Sequence, residues 1–147
     1  MADARKIAML VERFEKARFQ PYANQEFMTP GDPELLALIA AHCRPEGARI
    51  IEVAPGKGEG ACRLAERHRA RVLGIDLMSF FAHQAATKAN NRRVAQLVSI
   101  ALGDGGMLPV CDGAFDIAVC AGSPEIAGGD ACLRELHRAL RPGGWLA

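Results

Sequence analysis

The sequence predicts an α/β fold built on a doubly wound, mostly parallel sheet with a helical cover at its N-terminus. Three observations carry that reading. From Ala48 onward, short β-branched runs alternate with longer amphipathic stretches, the arrangement that parallel neighbours require because each needs a crossover. A glycine-rich turn, Glu52-Val-Ala-Pro-Gly-Lys-Gly-Glu-Gly60, closes the first run. Asp76 follows the second run, 20 residues beyond Gly56. A glycine turn between strand and helix followed by a downstream acid makes the fold Rossmann-like.

The elements follow in order. Ile7, Leu10, Val11, Phe14 and Ala17 have helical spacing with charges between them, so Asp3 to Arg18 is read as an amphipathic helix. Gln20 to Pro30 carries two prolines and no clean period and reads as a loop. Asp32 before Pro33 supplies an N-cap and a first-turn proline for a helix to Cys43, with Leu35, Leu36, Leu38, Ile39 and Cys43 as its buried stripe. Ala48 to Val53 is the first strand, Glu59 to Arg69 a helix, and Arg71 to Ile75 the second strand. Ser79 to Asn91 is the next helix, and Ala95 to Ala101 and Phe115 to Ala121 are the third and fourth strands. Asp130 to Leu140 is a further helix, and a fifth strand opens at Gly144. The chain thus divides into an N-terminal helical cover over residues 1–45 and an α/β domain over residues 46–147. A sheet of this class normally continues past a fifth strand, so the chain to Ala147 is expected to lack C-terminal strands and to associate through an exposed edge.

Composition narrows the function classes. Eighteen Lys and Arg against 17 Asp and Glu leave no net field to draw nucleic acid or an anionic membrane, so neither is expected as a partner. The five cysteines are odd in number and lack C-x-x-C spacing, which fits reduced thiols better than a disulfide framework or a zinc site. Asp3 to Arg18 contains no apolar run of signal or membrane-spanning type, and a cytoplasmic protein is expected. His42, His68, His83 and His137 all fall in predicted helices and are read as surface or packing residues.

The glycine turn lets a backbone approach a ligand while helix N–H groups point into the crevice, and Asp76 stands where a carboxylate accepts from ribose hydroxyls. The pair implies a ribose-bearing cofactor. Gly56-x-Gly58-x-x-Ala61 also satisfies the NAD fingerprint, so on these residues alone the cofactor stays open. A phosphate-binding P-loop is excluded, because Gly58 follows Lys57 where Ser or Thr is required.

Four blocks in order resemble the class I S-adenosyl-L-methionine (SAM)-dependent methyltransferases, especially the small-molecule, quinone-biosynthesis-like group. They are Ile50-Ile-Glu-Val-Ala-Pro-Gly-Lys-Gly58, Leu73-Gly-Ile-Asp-Leu77, Gly103-Asp-Gly-Gly-Met-Leu-Pro-Val-Cys-Asp-Gly-Ala-Phe-Asp116 and Glu135-Leu-His-Arg-Ala-Leu-Arg-Pro-Gly-Gly-Trp-Leu146. The resemblance implies a SAM-dependent enzyme that methylates a small-molecule acceptor. It implies that Gly56 and Gly58 lie against the methionine part of SAM and Glu52 near its amino end. Asp76 becomes the ribose carboxylate with Leu77 beside it, Asp104 accepts from the adenine amino group, Gly105 offers backbone to the ring, and Ala121 a carbonyl near the sulfonium. Ala54 belongs to the same set but replaces the family's usual glycine, and Pro55 removes an N–H beside the ligand. These departures keep a second reading open, a binding or scaffold protein without turnover; an NAD oxidoreductase domain is a third. Lys57 could pair with the methionine carboxylate or stand in solvent. Phe19, Tyr22 and Phe27 are expected to cap the acceptor pocket. No catalytic residue is assigned, since methyl transfer needs a base only for some acceptors, and no metal site is expected.

Overall fold

The computed structural model describes residues 32–121 and 127–147, together with Ala8, Met9 and Glu12, which are helical. The predicted loop with Phe19, Tyr22 and Phe27 lies outside the described residues, as does most of the predicted helix from Asp3 to Arg18. In chain order the elements are α1 (Asp32–His42), β1 (Arg49–Val53), α2 (Glu59–His68), β2 (Arg71–Asp76) and α3 (Ser79–Asn91), then β3 (Val98–Leu102), β4 (Phe115–Val119), α4 (Asp130–Ala139) and β5 (Leu140–Leu146).

The five strands form one sheet in the order β3-β2-β1-β4-β5, with every neighbouring pair parallel. The chain moves outward from β1 through β2 to β3, then returns to lay β4 on the other side of β1. The crevice beyond the carboxyl ends of β1 and β4 is therefore the switch point, where open α/β sheets take ligands.

Successive residues of β1 serve opposite faces, as the pleat requires. Ile50 enters one core with Val72, Val98, Ile117, Ala61 and Leu64. Ile51 enters the other with Ile75, Ala118, Cys132 and Leu136. α1, α2 and α3 cover the first face and α4 the second. α1, placed by sequence with the N-terminal cover, packs through the buried Ile39 onto the same core as β1 and α2. Its stripe is narrower than expected: Leu35, Leu36 and Cys43 are only partly buried, and Leu38 is exposed.

β4 ends at Val119, two residues short of the expected Ala121, and two strands start more than one residue from where the sequence puts them. β3 begins at Val98 instead of Ala95, because residues 95–97 close a turn in which the Leu97 N–H donates to Val94 O at 2.8 Å. β5 begins at Leu140, ahead of the predicted Gly144, and carries an irregularity: Leu140 pairs with Phe115 and Trp145 with Ile117, so Arg141 to Gly144 bulge from the ladder. Pro142 cannot donate to a ladder and Gly143 has φ 75°, which together make the bulge. Trp145 and Leu146 remain about half exposed on this edge strand.

Candidate functional site

The glycine turn continues β1 and is tied to β2 at its first residue, where the Ala54 N–H donates to Ile75 O at 2.9 Å. Ala54 takes φ 56°, the left-handed region that glycine occupies without penalty. Pro55, buried, packs on β2: a Cβ on Gly74 would lie 3.0 Å from Pro55 Cγ and 2.7 Å from Ile100 Cδ1. Gly74 is thus required for the turn to settle on the sheet. A glycine inside a predicted strand signals such a close approach, yet Gly74 was not singled out from sequence.

Asp76, at the end of β2, is 4% exposed. Its Oδ2 accepts the Gly56 N–H at 3.2 Å and its Oδ1 the Met78 N–H at 2.8 Å. Burial raises its pKa above the usual aspartate range, opposed by these two backbone donors. The Asp76 carbonyl accepts the Gly103 N–H at 3.0 Å, which brings the end of β3 to the same lip. Asp104 follows, closing a turn in which its Oδ1 accepts the Gly106 N–H at 2.8 Å and its carbonyl the Met107 N–H at 3.0 Å. Gly105 is buried, and a Cβ there would meet Ala127 O at 2.6 Å and Val53 Cγ1 at 2.7 Å.

The structure therefore gathers Ala54, Gly56, Asp76, Leu77, Asp104 and Gly105 at the carboxyl ends of β1, β2 and β3. Ala121 stands two residues beyond the end of β4, the strand beside β1. Two predicted residues take deeper positions. The Glu52 carboxylate lies under α2, its Oε1 3.1 Å from where a Gly60 Cβ would be. Gly58, φ 73°, makes room for α3: a Cβ would sit 2.7 Å from Ala85 Cβ. Lys57, half-buried, has its pKa lowered by burial and then by the Lys88 charge.

Sequence reading missed Glu59. It opens α2, is 3% exposed, and accepts from Arg63 Nε at 2.7 Å on Oε1 and from Lys88 Nζ at 2.7 Å and Arg92 Nη2 at 2.9 Å on Oε2. Burial opposes its ionisation, but the three cations carry its pKa down to about 2. The Glu59–Arg63 spacing is the local signal; Lys88 and Arg92 are 29 and 33 residues away. Of the histidines, His42, His83 and His137 are exposed and His68 meets Glu46 Oε1 at 3.1 Å. Among the described residues no group of three or more His, Cys, Asp or Glu could hold a metal.

A family model described as a methyltransferase domain matches residues 51–147. The chain is 35% identical over 149 residues to the malonyl-[acyl-carrier protein] O-methyltransferase of Geobacter sulfurreducens, covering 100% of this chain and 53% of that protein. It is 51% identical over 51 residues to the demethylmenaquinone methyltransferase of a Parafrankia species, covering 34% of this chain and 20% of that one. A crystal structure of a SAM-dependent methyltransferase from Geobacter sulfurreducens, in complex with S-adenosyl-L-homocysteine, superposes with a TM-score of 0.71 at 34% identity. That match covers 84% of this chain and 50% of the other. The chain spans about half or less of the length of these relatives. Residues 51–147 are a methyltransferase domain, and the chain belongs to the class I SAM-dependent methyltransferases.

Proposed function

We propose that the chain binds SAM across the carboxyl ends of β1, β2 and β3 and transfers its methyl group to a small-molecule acceptor. The observation that carries this is the Asp76 carboxylate, buried at the strand ends and hydrogen-bonded to the Gly56 N–H of the glycine turn. Three acids are buried among the described residues, Glu52, Glu59 and Asp76. Glu59 is neutralised by three cations and Glu52 lies under α2, so Asp76 is the one presented at the lip.

The residues fit a ribose-bearing cofactor. Asp76 offers acceptor oxygens to vicinal hydroxyls, with Leu77 beside it. The left-handed turn over Ala54 and Gly56 brings backbone to the methionine part, with Gly58 letting it pack on α3, and Glu52 places a carboxyl group beneath the turn on the amino side. Asp104 and Gly105 form the adenine side, and Ala121 lies toward the sulfonium. When bound, SAM supplies an electrophilic methyl carbon, and transfer is an in-line displacement. The chain's own work is to hold cofactor and acceptor in line and to exclude water. A base is dispensable for an acceptor that is already ionised, and no side chain is assigned that role.

The acceptor is a small molecule on this reading, which the likeness to a demethylmenaquinone methyltransferase supports. We place the protein in the cytoplasm, with no nucleic-acid or membrane partner and with a capacity to form homo-oligomers. A net charge of +1 supports the lack of a nucleic-acid partner, and among the described residues no helix is long and apolar enough to cross a membrane. Titration calorimetry with SAM, S-adenosylhomocysteine and NAD tests the cofactor, and transfer of a labelled SAM methyl group to small-molecule extract tests turnover. Binding of NAD in preference to both SAM compounds would sink the assignment.

A further inference from the structure

The segment between β3 and β4 carries Asp104 and Gly105 yet contains no helix or strand. Its far half is held by α4. Arg138 Nε donates to Glu135 Oε1 at 2.9 Å and Nη2 to Glu135 Oε2 at 2.8 Å. Nη2 also donates to Leu108 O at 3.0 Å, while Nη1 donates to Val110 O at 2.8 Å and to Asp112 Oδ1 at 2.6 Å. All five N–H donors of the guanidinium are used. Glu135 Oε2 in turn accepts the Leu108 N–H at 2.8 Å, and the Arg138 carbonyl accepts the Gly113 N–H at 3.0 Å.

One side-chain pair thus fixes both backbone groups of Leu108, itself 4% exposed, and the chain beyond it. Between Asp104 and Leu108 the backbone is a hydrogen-bonded turn, with Gly106 and Met107 both bonded to Asp104. Little freedom remains between the clamp and the adenine side of the crevice. We infer that Glu135 and Arg138 are positioning residues which set the Asp104–Gly105 turn for the adenosine half of the cofactor. This rests on the SAM reading above. Lysine cannot substitute, because three donors on a point charge reproduce neither the fork to Glu135 nor the reach to two carbonyls.

The test uses the whole chain, with S-adenosylhomocysteine and 5′-methylthioadenosine as probes; the second lacks the amino-acid portion. At a temperature where all variants are folded, Arg138→Lys and Arg138→Gln should weaken both probes by the same factor, about tenfold. Hydrogen exchange at Gly106 and Leu108 should quicken. Asp112→Asn removes one charged contact at the exposed end of the clamp, should fold normally, and should weaken both probes by a smaller common factor. Ile39→Ala on α1 is the control for lost stability alone: it should lower Tm and leave both affinities unchanged. Wild-type affinities for both probes in the folded Arg138 variants would overturn the inference while leaving the SAM reading intact. A wild-type chain that binds neither probe overturns the SAM reading and the inference with it.

Discussion

The carboxylate of Asp76 accepts the Gly56 N–H at 3.2 Å, so the end of β2 and the turn leaving β1 are joined by the group proposed to receive the ribose. Asp76→Ala should weaken SAM binding by about 1 to 3 kcal/mol, the usual cost of leaving polar partners unsatisfied. It should also loosen the turn. Because burial raises the Asp76 pKa, cofactor affinity should fall on acidification with a midpoint above the ordinary aspartate value of 3.8. The raised folded-state value also means that Asp76 contributes most to stability below the unfolded pKa, and that this is lost as pH rises through the folded one. Calorimetry across acid pH checks the affinity; an unchanged Kd in folded Asp76→Ala protein would remove Asp76 from the site.

Ala54→Gly should stabilise the fold. A non-glycine residue in the left-handed region costs about 1 to 2 kcal/mol. Glycine's freedom in the unfolded chain offsets about 0.4 to 1 kcal/mol of that, so the net gain lies between about 0 and 1.6 kcal/mol, centred on about 0.8 kcal/mol. Gly58→Ala should do the opposite and lose about 2 kcal/mol or more, since its methyl group would sit 2.7 Å from Ala85 Cβ. Denaturant midpoints for the two variants should move in opposite directions.

Glu59→Ala should destabilise by about 3 kcal/mol, the lower part of the range for breaking a buried ion pair, because its cationic partners are only 22% to 29% exposed but still reach solvent. Its folded pKa of about 2 lies below the ordinary 4.5, so its stabilisation is complete above 4.5 and is lost as pH falls toward 2. Urea midpoints measured from pH 5 to pH 2 should fall for the wild type and fall less for the variant.

Thiol labelling should separate the cysteines. Cys111 is exposed, whereas Cys62 is fully buried with its pKa pushed up to about 11. A disulfide reagent at pH 8 should modify Cys111 in the native state and Cys62 only on unfolding. Mass mapping of the labelled peptides reads the order directly.

Local pattern alone reveals most of the fold. The helix Ser79–Asn91 is found at both ends as the sequence places it, and each of the five expected strands is present, with β3 starting three residues later and β5 four residues earlier than expected, because each short apolar run is bounded by turn residues and flanked by charge. The β5 bulge is hidden, since its geometry depends on how far Trp145 must reach to pair with Ile117. At the site, Asp76, Gly56 and Asp104 are legible because the ends of successive parallel strands bring them together. Glu59 and Arg138 are not legible in function, because beyond the local Arg63 and Glu135 their partners lie 26 to 33 residues away.

β1 lies between β2 and β4, with fully buried Ile50 feeding one core and fully buried Ile51 the other. Its amides have no edge to fray from and should open to solvent only with the whole molecule, as the slowest to exchange. The glycine turn grows directly from this strand. Its tether should therefore be among the last parts of the protein to melt, and a ligand arriving there should meet a shape whose ordering entropy was spent when the chain folded.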